Sequence, residues 1–101
     1  MKITYRPAAI NDIRATADYI EKELHNPRAA SRFKENILHS VSHLKDNPKM
    51  GKLLSEKYDA VKNEYRYIIV DKQLVFYEIT GGSVEIIRVL DGRTDYLTHL
   101  F

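Results

Sequence analysis

The chain has no cysteine, so disulfides and thiolate metal sites are excluded outright, and the usage agrees with a reducing compartment. It has no apolar run approaching the length of a membrane-spanning helix, and its opening residues MKITYRP lack the apolar core of a secretory signal. A cytoplasmic protein with no membrane partner is the expectation. No internal repeat or low-complexity linker divides the 101 residues, a length that suits one domain over 1–101 with a modest core. Charge of one sign is scarce as well. A formal net of +2 and a sequence pI near 8.8 exclude a strongly basic coat for nucleic acid. Residues 28–72 do carry ten Lys/Arg against six Asp/Glu, while the first 27 balance and the last 29 are acidic. An excess that small either faces phosphate or is an ordinary solvated surface.

What is present is concentrated in the last third, EYRYIIV-DK-QLVFYEI-TGGS-VEIIRVL-DGRTDYLTHLF. Three runs rich in β-branched and aromatic residues are separated by two tight polar breaks, Asp71-Lys72 and Thr80-Gly81-Gly82-Ser83. That pattern predicts an antiparallel meander. Alternation places Tyr65, Tyr67 and Ile69 on one side of the first run and Arg66, Ile68 and Val70 on the other. Both faces are apolar where a one-sided sheet would alternate with polar residues, so each face needs a cover. Helices upstream can supply one; the other must come from the chain's own tail or from another protein.

The three prolines punctuate the rest. Lys2 to Arg6 alternates as a short strand, and Pro7 opens a helix. From Ala8 to Leu24 the apolar residues Ile10, Ile13, Ala17, Ile20 and Leu24 fall at steps of three and four, one helical stripe. Asn26-Pro27 breaks that helix and starts the next, with Asn26 as N-cap. The second stripe is Ala30, Phe33, Ile37, Val41 and Leu44, ending before Asn47-Pro48. Two amphipathic helices joined by so short a break form an antiparallel hairpin. The polar connector from Pro48 to Glu64 has anchors in Leu53, Leu54, Tyr58 and Val61 but no regular period. The expected fold is therefore α+β: a strand, a helical hairpin, then a three-stranded meander, with the helices on one face of a single sheet.

Taken in order, PAAINDI, ADYI, LKDNPKMG, EYRYIIV, LVFYEI and above all RVLDGRTDY make the whole chain resemble the RelE/ParE superfamily, the toxin halves of bacterial type II toxin-antitoxin modules. The resemblance implies a compact toxin, neutralised by a small cognate antitoxin in a toxin-antitoxin hetero-oligomer; the residues themselves suggest no cofactor and no metal. The superfamily divides by mechanism. RelE-like members cut messenger RNA on the ribosome, whereas ParE-like members poison DNA gyrase by protein contact. A further alternative is a non-toxic member that binds its antitoxin and helps repress the operon.

RNA cleavage through the 2′-hydroxyl needs a base, cations for the phosphorane charge and an acid for the leaving oxygen. The nuclease branch usually shows a basic residue early in the strand that corresponds to QLVFYEI and often a His or Tyr just after the last strand. Gln73 and Asp91 stand at those places. The nuclease set that remains is Arg66 and Arg88 as phosphate clamps, Asp91 as base, Arg93, and Tyr96 to stack on a base or relay a proton. Each has a structural alternative. Arg88 can pair with Glu78 or Asp91, Arg66 can be a solvated sheet-edge charge, and Asp91-Gly92 reads first as turn chemistry with Gly at positive φ. His39 and His43 lie i, i+4 without a third ligand, so they read as solvated side chains rather than a metal pair. The long hairpin and the tail DGRTDYLTHLF fit the gyrase branch better.

Overall fold

The computed structural model describes all residues, 1–101. Its centre is the meander: β3 (Arg66–Val70), β4 (Gln73–Thr80) and β5 (Ser83–Asp91), antiparallel throughout. Each hairpin closes on two residues. Gly81 and Gly82 both have positive φ, 49° and 59°, the geometry in which a two-residue turn matches the strands' twist. Asp71 takes the equivalent strained position at φ 56°, which Asp tolerates better than most residues. The N-terminal strand β1 (Lys2–Tyr5) lies parallel to β5, from Lys2↔Ser83 to Tyr5↔Ile86. On the far edge a two-residue strand within the connector, β2 (Lys52–Leu53), pairs with Arg66 and Tyr67. The five strands run in the order β1-β5-β4-β3-β2.

One face is covered by the hairpin of α1 (Pro7–Lys22) and α2 (Pro27–Ser42), which continues into a 3₁₀ turn at His43–Lys45. The Asn26 side chain caps α2 by accepting from the Ala29 N–H at 3.1 Å, and His25 at φ 50° turns the chain between the helices. The α2 stripe is as expected, with Ala30, Ile37, Val41 and Leu44 buried and Phe33 packed against that core. The α1 stripe holds at Ile13 and Ala17 and fails at its ends: Ala9 is inward, while Ile10 and Leu24 are exposed and the helix stops at Lys22. Alanine brings the helix axis close to the sheet, and that close approach selects the small residues over the bulkier Ile10.

The second face is covered by the chain itself. The connector supplies a single helical turn, α3 (Leu54–Lys57), and the tail supplies α4 (Tyr96–Leu100). Leu54, Val61 and Tyr96 close over Tyr67, Leu74, Phe76 and Ile87, with Tyr58, Leu97 and Leu100 packed around them. Both apolar faces predicted for the meander are therefore real, and one sheet separates two cores. No helix is long and apolar enough to cross a membrane.

Candidate functional site

The pairing of β4 with β5 slips between Phe76 and Tyr77, so that Tyr77 faces Ile86 while Phe76 faces Arg88, leaving Ile87 as an extra residue. Such a bulge re-aims side chains. Ile87 enters the second core, and Arg88 reaches α1, where its Nε and Nη2 donate to the two oxygens of Asp12 at 2.7 and 2.8 Å. The same carboxylate accepts from the Val89 N–H at 3.0 Å. Register with β1 ends at Ile86, so Asp12 takes the acceptor place that a longer β1 would have filled. A third arginine nitrogen donates to the His99 carbonyl in α4 at 3.2 Å. The hydrogen bond to Asp12 holds Arg88 even more firmly in its charged form. The arginine's partner is thus Asp12, rather than Glu78 or Asp91.

Arg66, on β3, turns to the β2 edge of the sheet. It donates to the Gly51 carbonyl at 2.8 Å. Beside it the buried Tyr77 hydroxyl donates to the Pro48 carbonyl and accepts from the Gly51 N–H, both at 2.8 Å. These bonds fix residues 48–51 against the sheet. A Cβ at Gly51 would come within 2.5 Å of the Tyr77 hydroxyl and 2.8 Å of the Tyr67 carbonyl oxygen, so glycine is required there.

Asp91 ends β5 and serves the turn that follows. Its carboxylate accepts from the Arg93 backbone N–H, Nε and Nη2 at 2.8, 3.0 and 2.8 Å, and its carbonyl accepts from the Thr94 hydroxyl. The bonds to the Arg93 side chain, followed by the bond to its backbone N–H, lower the Asp91 pKa to about 2. Gly92 does not take a positive φ. Its N–H donates to the Lys72 carbonyl at 2.9 Å, and a Cβ would stand 3.5 Å from that oxygen, an ordinary contact.

Tyr96 is buried on Phe76, with ring centroids 5.2 Å apart. Its hydroxyl lies 2.7 Å from that of Tyr58, a bond that raises the Tyr58 pKa. The Lys57 ammonium stands 5.7 Å from the ring centres of Tyr58 and Tyr67 and 5.9 Å from that of Tyr96.

The five residues singled out in the sequence therefore do not converge on one cleft. Arg66 lines a small cavity with Lys49, Leu53, Glu64 and Ile79. Asp91 lines another with Asp12, Tyr19, Gln73, Thr94 and His99. Arg88 and Arg93 are each engaged by a carboxylate, and Tyr96 is buried against Phe76 at the start of α4. His39 and His43 meet edge to face at 4.8 Å on the exposed side of α2, and no cluster of three or more His, Cys, Asp or Glu residues could hold a metal ion. Sequence reasoning missed Asp12 and Lys57, and read Tyr58 only as an anchor of the connector, which it is. The available signal for Asp12 was a carboxylate beside the inward α1 stripe and a strand arginine in want of a partner.

The hairpin leaves apolar surface open. Ile10, Tyr19, Leu24 and Leu38 are exposed, and a groove of ≈300 Å³ between the two helices is lined by Tyr5, Ile10, Ile13, Ala17 and Leu38 with Arg14, Asp18 and Lys34.

A protein-family model, "ParE toxin of type II toxin-antitoxin system, parDE", matches residues 3–96. Among solved structures, one described as "Chromosomal ParDE TA system from P. aeruginosa" superposes with a TM-score of 0.75 at 17% identity, covering 90% of this chain and 95% of that one. At that identity the likeness is one of fold. No curated protein matches the sequence.

Proposed function

The chain belongs to the ParE toxin family, within the RelE/ParE superfamily, and from that premise we propose that it binds and inhibits DNA gyrase by protein contact and is neutralised by a cognate antitoxin. The observation that carries this reading is the state of the groups that RNA cleavage would need. A general base works best with a pKa near the operating pH. Asp91, at about 2 and bonded through both oxygens to Arg93, is a poor proton acceptor at neutrality. Arg66 and Arg88 donate to groups of the fold, and the Tyr96 hydroxyl is paired with Tyr58.

Inhibition by contact asks for none of these groups. It asks for exposed surface of defined shape, and the hairpin presents Ile10, Tyr19, Leu24 and Leu38 with a groove between its helices. Apolar surface of this kind on a small chain is characteristic of partner sites. An antitoxin is the partner implied by the paired naming of the similar structure, a ParDE system.

The test is pulse labelling of DNA and protein synthesis in bacteria within minutes of inducing the chain alone, followed by a supercoiling assay with purified gyrase. An early fall in DNA synthesis, with supercoiling inhibited in vitro, is the expected result. An early fall in protein synthesis with cleavage of ribosome-bound messenger would overturn it in favour of the nuclease set. If neither changes while the protein is folded, the chain acts only through its antitoxin.

A further inference from the structure

The tail is held by an arrangement that neither proposed activity requires. Lys57 ends α3, Tyr67 lies on β3 and Tyr96 begins α4, so a single ammonium stands within 6 Å of rings from two other segments and of its own neighbour Tyr58. A cation over aromatic faces at that range is attracted by each ring's quadrupole. The Tyr58 and Tyr96 hydroxyls are bonded to each other. Two further ties bind α4: Arg88 donates to the His99 carbonyl, and Phe101 stacks on Tyr65 at 5.8 Å. The segment before α4 is the Asp91–Asp95 turn, held by bonds within itself and pinned to the β3–β4 hairpin by the Gly92 N–H to the Lys72 carbonyl. It can stay formed while the helix beyond it moves.

We propose that α4 is a strap, closed over the second sheet face by a cationic clasp whose pin is Lys57. Opening the strap swings α4 away about the Asp91–Asp95 turn and uncovers Tyr67, Leu74, Phe76 and Ile87, which Tyr96 otherwise helps to bury. The clasp is electrostatic at its centre, so a charge-conserving change at Lys57 keeps it and a charge-removing one weakens it. The first core, on the other side of the sheet, does not depend on it. The inference stands on this geometry alone and is independent of whether gyrase is the target.

Hydrogen exchange on the purified full-length chain reads the strap directly. Lys57→Gln is expected to raise exchange of the amides in residues 96–101 by roughly tenfold, the combined effect of several weak cation–ring attractions, with β4 and β5 unchanged. Lys57→Arg is expected to exchange like the parent. Lys57→Met keeps the aliphatic stem and removes only the charge; it should behave like the glutamine variant and serves as the second test if that one folds poorly. Unchanged tail exchange in both neutral variants would overturn the clasp. So would an arginine variant as open as the neutral ones, or a rise that spreads equally through the sheet.

Discussion

Replacing Asp12 with alanine removes three hydrogen bonds at once, two from Arg88 and one from the Val89 backbone. What it leaves behind costs more than what it removes. The Arg88 side chain is 23% exposed and the Asp12 side chain 13%, so the guanidinium would remain mostly shielded without its counter-charge, and the Val89 N–H would lose its acceptor. Breaking a fully buried ion pair from one side costs about 3–5 kcal/mol. Partial exposure lets water recover some of that, and the expected loss for Asp12→Ala is about 2–3 kcal/mol. For a domain of this size that corresponds to a fall in Tm of about 10–20 °C. Arg88→Met should cost less, about 1–2 kcal/mol, because Asp12 keeps the Val89 N–H as a donor and one of the three hydrogen bonds survives. Urea denaturation of both single variants and the double variant gives the coupling energy. A cost below about 1 kcal/mol for Asp12→Ala, or a coupling energy indistinguishable from zero, would refute the view that Asp12 completes the β5 edge.

Tyr77→Phe keeps the buried ring but drops the bonds to Pro48 and Gly51; a loss of about 1–2 kcal/mol in chemical denaturation is expected, and a neutral result would show that residues 48–51 are held by packing alone. Gly51→Ala drives a methyl group into the Tyr77 hydroxyl and the Tyr67 carbonyl, and should destabilise by about 1–3 kcal/mol, against little change for alanine at Gly92, where the nearest atom is 3.5 Å away. The Asp91 pKa is lowered from 3.8 to about 2 in the fold. Its contribution is therefore complete above the unfolded value and is lost as pH falls toward 2. Stability measured from pH 6 down to pH 2 should fall less steeply in Asp91→Asn than in the parent, and parallel curves would contradict the assigned shift.

The elements legible in the sequence were those whose cause is local. The two turn dipeptides, the Asn26-Pro27 break and the α2 stripe each follow from residues within a few positions of one another, and each lies where the pattern put it. The α1 face was misread at its ends: Ala9, which weighs little in a hydrophobic period yet decides how closely a helix approaches, is inward where Ile10 was expected, and Leu24 lies beyond the helix. β2 escaped notice because two residues carry no period; it exists through pairing with Tyr67 and Arg66. The partner of Arg88 lay beyond reach for a related reason, being 76 residues away on another element. Of the residues picked for chemistry, the sequence identified types suited to phosphate. Their hydrogen bonds to Asp12, Gly51 and Arg93 depend on a bulge, a loop and a turn that appear only once the chain is folded.

The parallel pairing of β1 with β5 joins the beginning of the chain to its end, from Lys2↔Ser83 onward. During synthesis the helical hairpin can form from its own residues, but the first strand has no neighbour until β5 has been made. At 5–20 residues per second, the residues from Ser83 to Phe101 take about one to four seconds to translate. Throughout that interval β3 and β4 have been made, but β1 and the inward side of α1 still lack the strand they pack against. Completion is therefore a late event in the synthesis of this domain, because its sheet cannot close before β5 has been made.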